Sequence, residues 1–121
     1  MTMLLENVSL VCFMQIPGGD LLASIEPLAD GAKFTFRFRW YDPDEPHNDA
    51  FSGKDTKSWY NVSCKSLKDA RRMLDLLIQG STQMGAGPAH IIERGPTESF
   101  ESFFDRFKDS PFVHTKTESL Q

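Results

Sequence analysis

What this chain has little of narrows it first. It holds only two cysteines, Cys12 and Cys64, and no Cys-x-x-Cys pair, so neither a disulfide scaffold nor a zinc site is signalled. Its three histidines, His47, His90 and His114, stand far apart and offer no metal-ligand spacing. No apolar run approaches the ~18 residues of a membrane span. The N-terminal Met-Thr-Met-Leu-Leu-Glu-Asn-Val lacks the basic start and continuous apolar stretch of a secretory signal. The expectation is a cytoplasmic protein without membrane association, its two thiols buried and reduced. The sequon Asn61-Val62-Ser63 is then a chance match. Lys and Arg number 13 against 17 Asp and Glu, a net charge of −4, which argues against bulk binding to nucleic acid. No Gly-x-Ser-x-Gly elbow is present. The stretch Gly80-Ser-Thr-Gln-Met-Gly85-Ala-Gly87 lacks the Gly-Lys-Ser/Thr ending of a phosphate cradle. Nothing assigns a catalytic residue, a cofactor or a metal.

What is present is phenylalanine, ten of them in 121 residues, a length that fits one domain over 1–121. Residues 33–41 read Lys-Phe-Thr-Phe-Arg-Phe-Arg-Trp-Tyr. A strand points successive side chains to opposite faces. Phe34, Phe36, Phe38 and Trp40 therefore share a core face, and Lys33, Thr35, Arg37, Arg39 and Tyr41 a basic one. Residues 8–16 form a first strand, with Val8, Leu10, Cys12, Met14 and Ile16 on one face and Val11 and Phe13 on the other. Pro17-Gly18-Gly19-Asp20 turns the chain into a second strand over 21–28, which Pro27 ends or places at an edge. Asp30-Gly31 supplies the next hairpin. Strand character resumes over 58–65.

Ser66 followed by Asp69 resembles a capping box. Leu67, Ala70, Met73, Leu74, Leu77 and Ile78 then form a helical stripe, with Gly80 as a stop and a mobile loop over 80–89. His90 to Glu93 makes a short strand. Phe100, Phe103, Phe104 and Phe107 give a second amphipathic helix, ended by Ser110-Pro111, and 112–117 offers an edge strand. The fold class is α+β: an antiparallel sheet of four to five strands, the Phe-rich one central, with two amphipathic helices on one face.

The functional candidates gather where the basic strand face runs into an acidic connection over 42–57. Arg37, Arg39, Tyr41, Asp42, Asp44, Glu45, His47, Asp49 and Trp59 form the expected partner-binding set. The expected partner is another protein, basic in charge, and a homodimer is compatible with the pattern. An acidic patch steers a basic partner, and Trp and Tyr near it supply anchors. Four carboxylates also begin a calcium site, but His47 stands where the calcium loop needs its turn glycine. Two alternatives stay open. One is an enzyme or small-ligand pocket at 42–57, with His47 and the carboxylates as acid and base; Cys64, just before the helix start where a thiol pKa can fall, reads as core beside Tyr60 and Val62. The other is a nucleic-acid surface made of Lys33, Arg37, Arg39 and Tyr41, with cross-strand pairing to Glu26 as its bland counterpart.

Overall fold

The computed structural model describes residues 9–27, 33–45, 59–95 and 97–108. Within the last helix, the side chains of Phe100, Phe104, Phe107 and Lys108 are outside that description. Strands β1 (Leu10–Ile16), β2 (Gly19–Pro27), β3 (Phe34–Tyr41) and β4 (Tyr60–Cys64) follow in sequence order. Helix α1 (Leu67–Gln83), strand β5 (His90–Glu93) and helix α2 (Phe100–Lys108) complete the elements of the described residues. The sheet order is β4-β3-β2-β1-β5, and every neighbouring pair is antiparallel. β2 therefore takes the middle and the Phe-rich β3 lies second from an edge. The sequence placed β3 at the centre, but β5 adds outside β1 and shifts the midpoint.

The β1–β2 turn follows from its residues. Pro17 fixes its own φ, and Gly18 adopts φ 88°, the combination a type II turn needs at its two central positions. Gly19 is required for a different reason: a Cβ there would collide with the Tyr41 carbonyl oxygen of the neighbouring β3. Pro27 stands at the last position of β2, so it marks a strand exit and not an edge. The turn expected at Asp30-Gly31 and the edge strand expected over 112–117 lie outside the described residues.

α1 begins as its sequence dictates. The Ser66 hydroxyl accepts the Asp69 N–H at 3.1 Å, satisfying one of the donors a helix start leaves open. Ala70 and Leu74 are buried, while Met73, Leu77 and Ile78 are half-buried against the sheet. They pack over Leu10, Cys12, Met14, Leu21, Ala23, Ile25 and Phe36, the period-two face of three strands. The helix does not stop at Gly80, which sits inside it with open space around its Cα. It ends at Gln83, and Gly85 takes φ 100°. The Ala86 N–H reaches the Ser81 carbonyl at 2.9 Å and the Gly85 N–H reaches that of Thr82 at 3.0 Å, the paired bonds of a Schellman cap. The expected mobile loop over 80–89 is thus a helix end plus a strap, held to β1 by Gly87 N–H donating to Gln15 O at 2.8 Å. α1 carries the chain from β4 at one edge to β5 at the other.

α2 starts after Ser99, whose hydroxyl accepts the Ser102 N–H at 3.1 Å. Of its phenylalanines, Phe103 is fully buried but does not belong to the cluster beneath α1. The sequence put both helices on one face; the sheet carries α1 there, and the described links of α2 run to the β5 end, through Arg106 to the Glu93 carbonyl and Arg94 to the Glu98 carbonyl. No described helix is long and apolar enough to cross a membrane.

Candidate partner-binding surface

The basic face of β3 is buried, contrary to expectation. Arg37 is 9% exposed, Arg39 7% and Tyr41 1%. Each arginine is held by an acid and an aromatic ring. Arg37 donates to Glu26 at 3.0 Å, diagonally across the β2–β3 ladder, since Arg37 faces Ser24 and Glu26 faces Thr35. Its guanidinium also lies 4.5 Å from the centre of the Trp59 ring. Arg39 pairs with Glu45 and lies 3.8 Å from the Tyr41 ring centre. Tyr41 and Trp59 meet edge to face at 6.4 Å. A planar guanidinium can stack and donate at once, which lets this face close despite its charge. Burial pushes the Glu26 carboxyl above its ordinary range, against the opposing pull of Arg37. The same face carries Val11, Phe13 and Leu22, all buried. Arg37, Arg39 and Tyr41, expected on an exposed surface, are therefore buried.

The acidic connection divides. Glu45 turns inward to Arg39, and its other carboxylate oxygen accepts the Asp42 N–H at 3.2 Å. Its own N–H donates to the Asp42 carbonyl at 3.0 Å, so 42–45 is a tight turn anchored on β3. Asp42 and Asp44 point outward and are exposed; their carboxylates make no hydrogen bond or ion pair among the described residues. His47 and Asp49 lie outside the described residues. No group of three metal-ligating side chains occurs among the described ones.

The exposed aromatic surface lies on the opposite face of β3, where period-two reasoning put core. Phe36 is buried, Phe38 half-buried, and Trp40 is 47% exposed. Phe38 faces Tyr60 across the β3–β4 pair, and their rings stack at 5.1 Å with 16° between planes. Trp40 stands edge-on to both, at 5.3 Å from Phe38 and 5.8 Å from Tyr60. Tyr60 is 59% exposed. Beside this triad, a groove of about 400 Å³ runs between the β1–β2 turn, the end of β3 and the end of α1. Ile16, Pro17, Trp40, Asp42, Ser81 and Met84 line it, and Met84 is 79% exposed.

Sequence reasoning missed Trp40 and Met84. The alternation assigned Trp40 to the core without asking how far the helix above it extends. A methionine directly after a helix and before a glycine was the available signal for Met84.

The thiol chemistry weighed from sequence finds no support. Burial raises the Cys12 thiol to about 12. Cys64, beside the helix start, is pushed up by burial and by the neighbouring Asp69 carboxylate, in keeping with its reading as a core residue. Comparisons with protein-family models, with curated proteins and with solved structures return no match.

Proposed function

We propose that this chain is a protein-binding module of inhibitor, immunity, adaptor or chaperone type, working through the aromatic end of its sheet. The observation behind this reading is the triad of Phe38, Trp40 and Tyr60, two of its rings exposed and all three in mutual contact. Large aromatic side chains are over-represented among the residues that carry binding energy. Rings already braced against one another lose little further freedom on binding, which removes part of the cost of association. Asp42 and Asp44 give the surface an acidic rim; His47 and Asp49 of the expected set lie outside the described residues. Such a rim speeds encounter with a basic partner. Arg37, Arg39, Tyr41 and Trp59 act from behind the surface, by holding β3 and its following turn in place. Enzymatic use of the groove has less support, because among its lining residues are one carboxylate, Asp42, two hydroxyl-bearing residues, Tyr41 and Ser81, and no histidine or cysteine.

The test is site-specific photo-crosslinking in cells of the natural source. A photoreactive phenylalanine analogue replaces Tyr60 in one version and Leu76, exposed on α1, in another. A single protein adduct from position 60, absent from position 76 and lost with Trp40→Ala, is the expected result. No adduct at position 60, or the same adducts from both positions, overturns the reading.

A further inference from the structure

The groove beside the triad has a mixed character that says what it takes. Ile16, Pro17 and Met84 give it apolar walls, Trp40 gives it an aromatic one, and Asp42 is its one acidic lining residue. The Asp42 carboxylate makes no hydrogen bond or ion pair among the described residues. The end of α1 also borders the groove through Ser81 and Met84, and its last turn carries no basic residue. The negative pole of a helix lies at that end, and here no side chain of the helix offsets it.

We propose, on the reading that this surface binds a protein, that the groove receives a lysine or arginine side chain of the partner. The chemistry of each wall fits one part of such a side chain. The aliphatic stem of Lys or Arg packs on apolar surface while its head stays polar. A cation near an indole ring is attracted by the ring's electron-rich face. The head then meets Asp42 in a charge-assisted hydrogen bond, stronger than a neutral one. Alternatives fit worse. An acidic side chain would meet both Asp42 and the negative helix end. A purely apolar one would cover Asp42 and leave it desolvated without a partner. The volume, about 400 Å³, lies within the range of sites that enclose a small group, and the chain's net charge of −4 favours approach of a cation.

The experiment is NMR on the full-length, isotope-labelled chain, titrated with blocked Gly-X-Gly peptides in which X is Arg, Lys, citrulline or Glu. Citrulline keeps the shape of arginine and loses its charge. The Trp40 indole and Met84 methyl signals should move with the Arg and Lys peptides, at millimolar affinity. The citrulline peptide should bind at least about 10-fold more weakly, a difference of ~1.4 kcal/mol. Asp42→Asn should weaken the Arg peptide by a similar factor and leave the citrulline peptide unchanged; added salt should weaken only the charged peptides. Equal binding of Arg and citrulline, stronger binding of Glu, or no shift with any peptide up to about 10 mM overturns the proposal. These outcomes are separable from the crosslinking result. A partner captured at position 60 without any peptide response leaves the protein-binding reading standing and removes the cationic side chain from it.

Discussion

Toward its C-terminal end, the two faces of β3 exchange the roles their residues suggest. One face is Phe34, Phe36, Phe38 and Trp40, and it ends with Trp40 47% exposed. The other is Thr35, Arg37, Arg39 and Tyr41, and it ends with Tyr41 1% exposed and both arginines under 10%. Hydropathy alone would reverse that assignment at every position from 37 to 41 except Phe38, which is half-buried. The difference lies in what each face meets. α1 covers the apolar face over β2, β3 and β4 and leaves Trp40 at the border of the groove by its C-terminal end. The basic face neutralises itself within the fold, through Glu26, Glu45, Trp59 and Tyr41. Burial follows where cover and partners exist, and residue type sets only what cover costs.

The comparison breaks most readily along the apolar face. Phe36 is 1% exposed in the cluster beneath α1, so Phe36→Ala should destabilise by about 3–4 kcal/mol. Trp40→Ala, four residues further along the strand on the same face but at its open end, should cost about 1 kcal/mol or less. Urea unfolding of the two variants measures the gradient. Equal losses would mean that Trp40 is core after all and not a free anchor.

The basic face should show an asymmetry between the partners of one ion pair. Arg37→Ala leaves the Glu26 carboxylate buried without its cation and should cost about 3 kcal/mol at neutral pH. Glu26→Gln should cost much less, under about 1 kcal/mol, because the amide still accepts from Arg37 and burial already works against the charge it replaces. The Arg37→Ala loss should shrink on acidification, as the stranded carboxyl takes a proton. Denaturation of both variants at neutral and mildly acidic pH measures it. Equal, pH-independent losses from both substitutions would show that shape and not charge governs this face.

Local chemistry was legible in the sequence where a few neighbouring residues decide the outcome. Ser66 with Asp69 announced the start of α1, Pro17-Gly18 announced the first hairpin, and alternation placed Leu10, Cys12, Met14, Leu21, Ala23 and Ile25 on one face. The end of α1 was not legible in the same way. Gly80 and Gly85 are both competent to stop a helix, and what selects Gly85 is the strap through Gly87 to Gln15, a contact between segments 72 residues apart. The candidate site was legible in part. Glu26 was named as a partner for the strand's basic face, and that pairing closes the face. The exposed Trp40 depends on the length of helix lying above it, which no window of sequence around β3 contains.

A second carboxylate–arginine pair, rich in hydrogen-bond donors, stands in contrast to Glu26 and Arg37. Glu98 lies just before α2, its side chain 15% exposed and that of Arg106 47%. Its carboxylate accepts from Arg106 at 2.6 and 3.0 Å, from the Gly95 N–H at 3.0 Å and from the Ser102 hydroxyl at 2.8 Å. These donors, Arg106 foremost, hold its pKa down at about 2 from the ordinary 4.5, whereas burial moves Glu26 the other way despite its own arginine. The signs follow by linkage. The contribution of Glu98 is fully present above the ordinary 4.5 and is lost as pH falls through that value toward 2. For Glu26 the folded state holds the proton more tightly than the unfolded chain does, so acidification through its range favours the fold. Side-chain carboxyl NMR should show Glu98 titrating well below Glu26. The stability difference between the native chain and Glu98→Gln should close across the same acidic window. If both carboxyls titrate together, donors and burial weigh equally at the two sites.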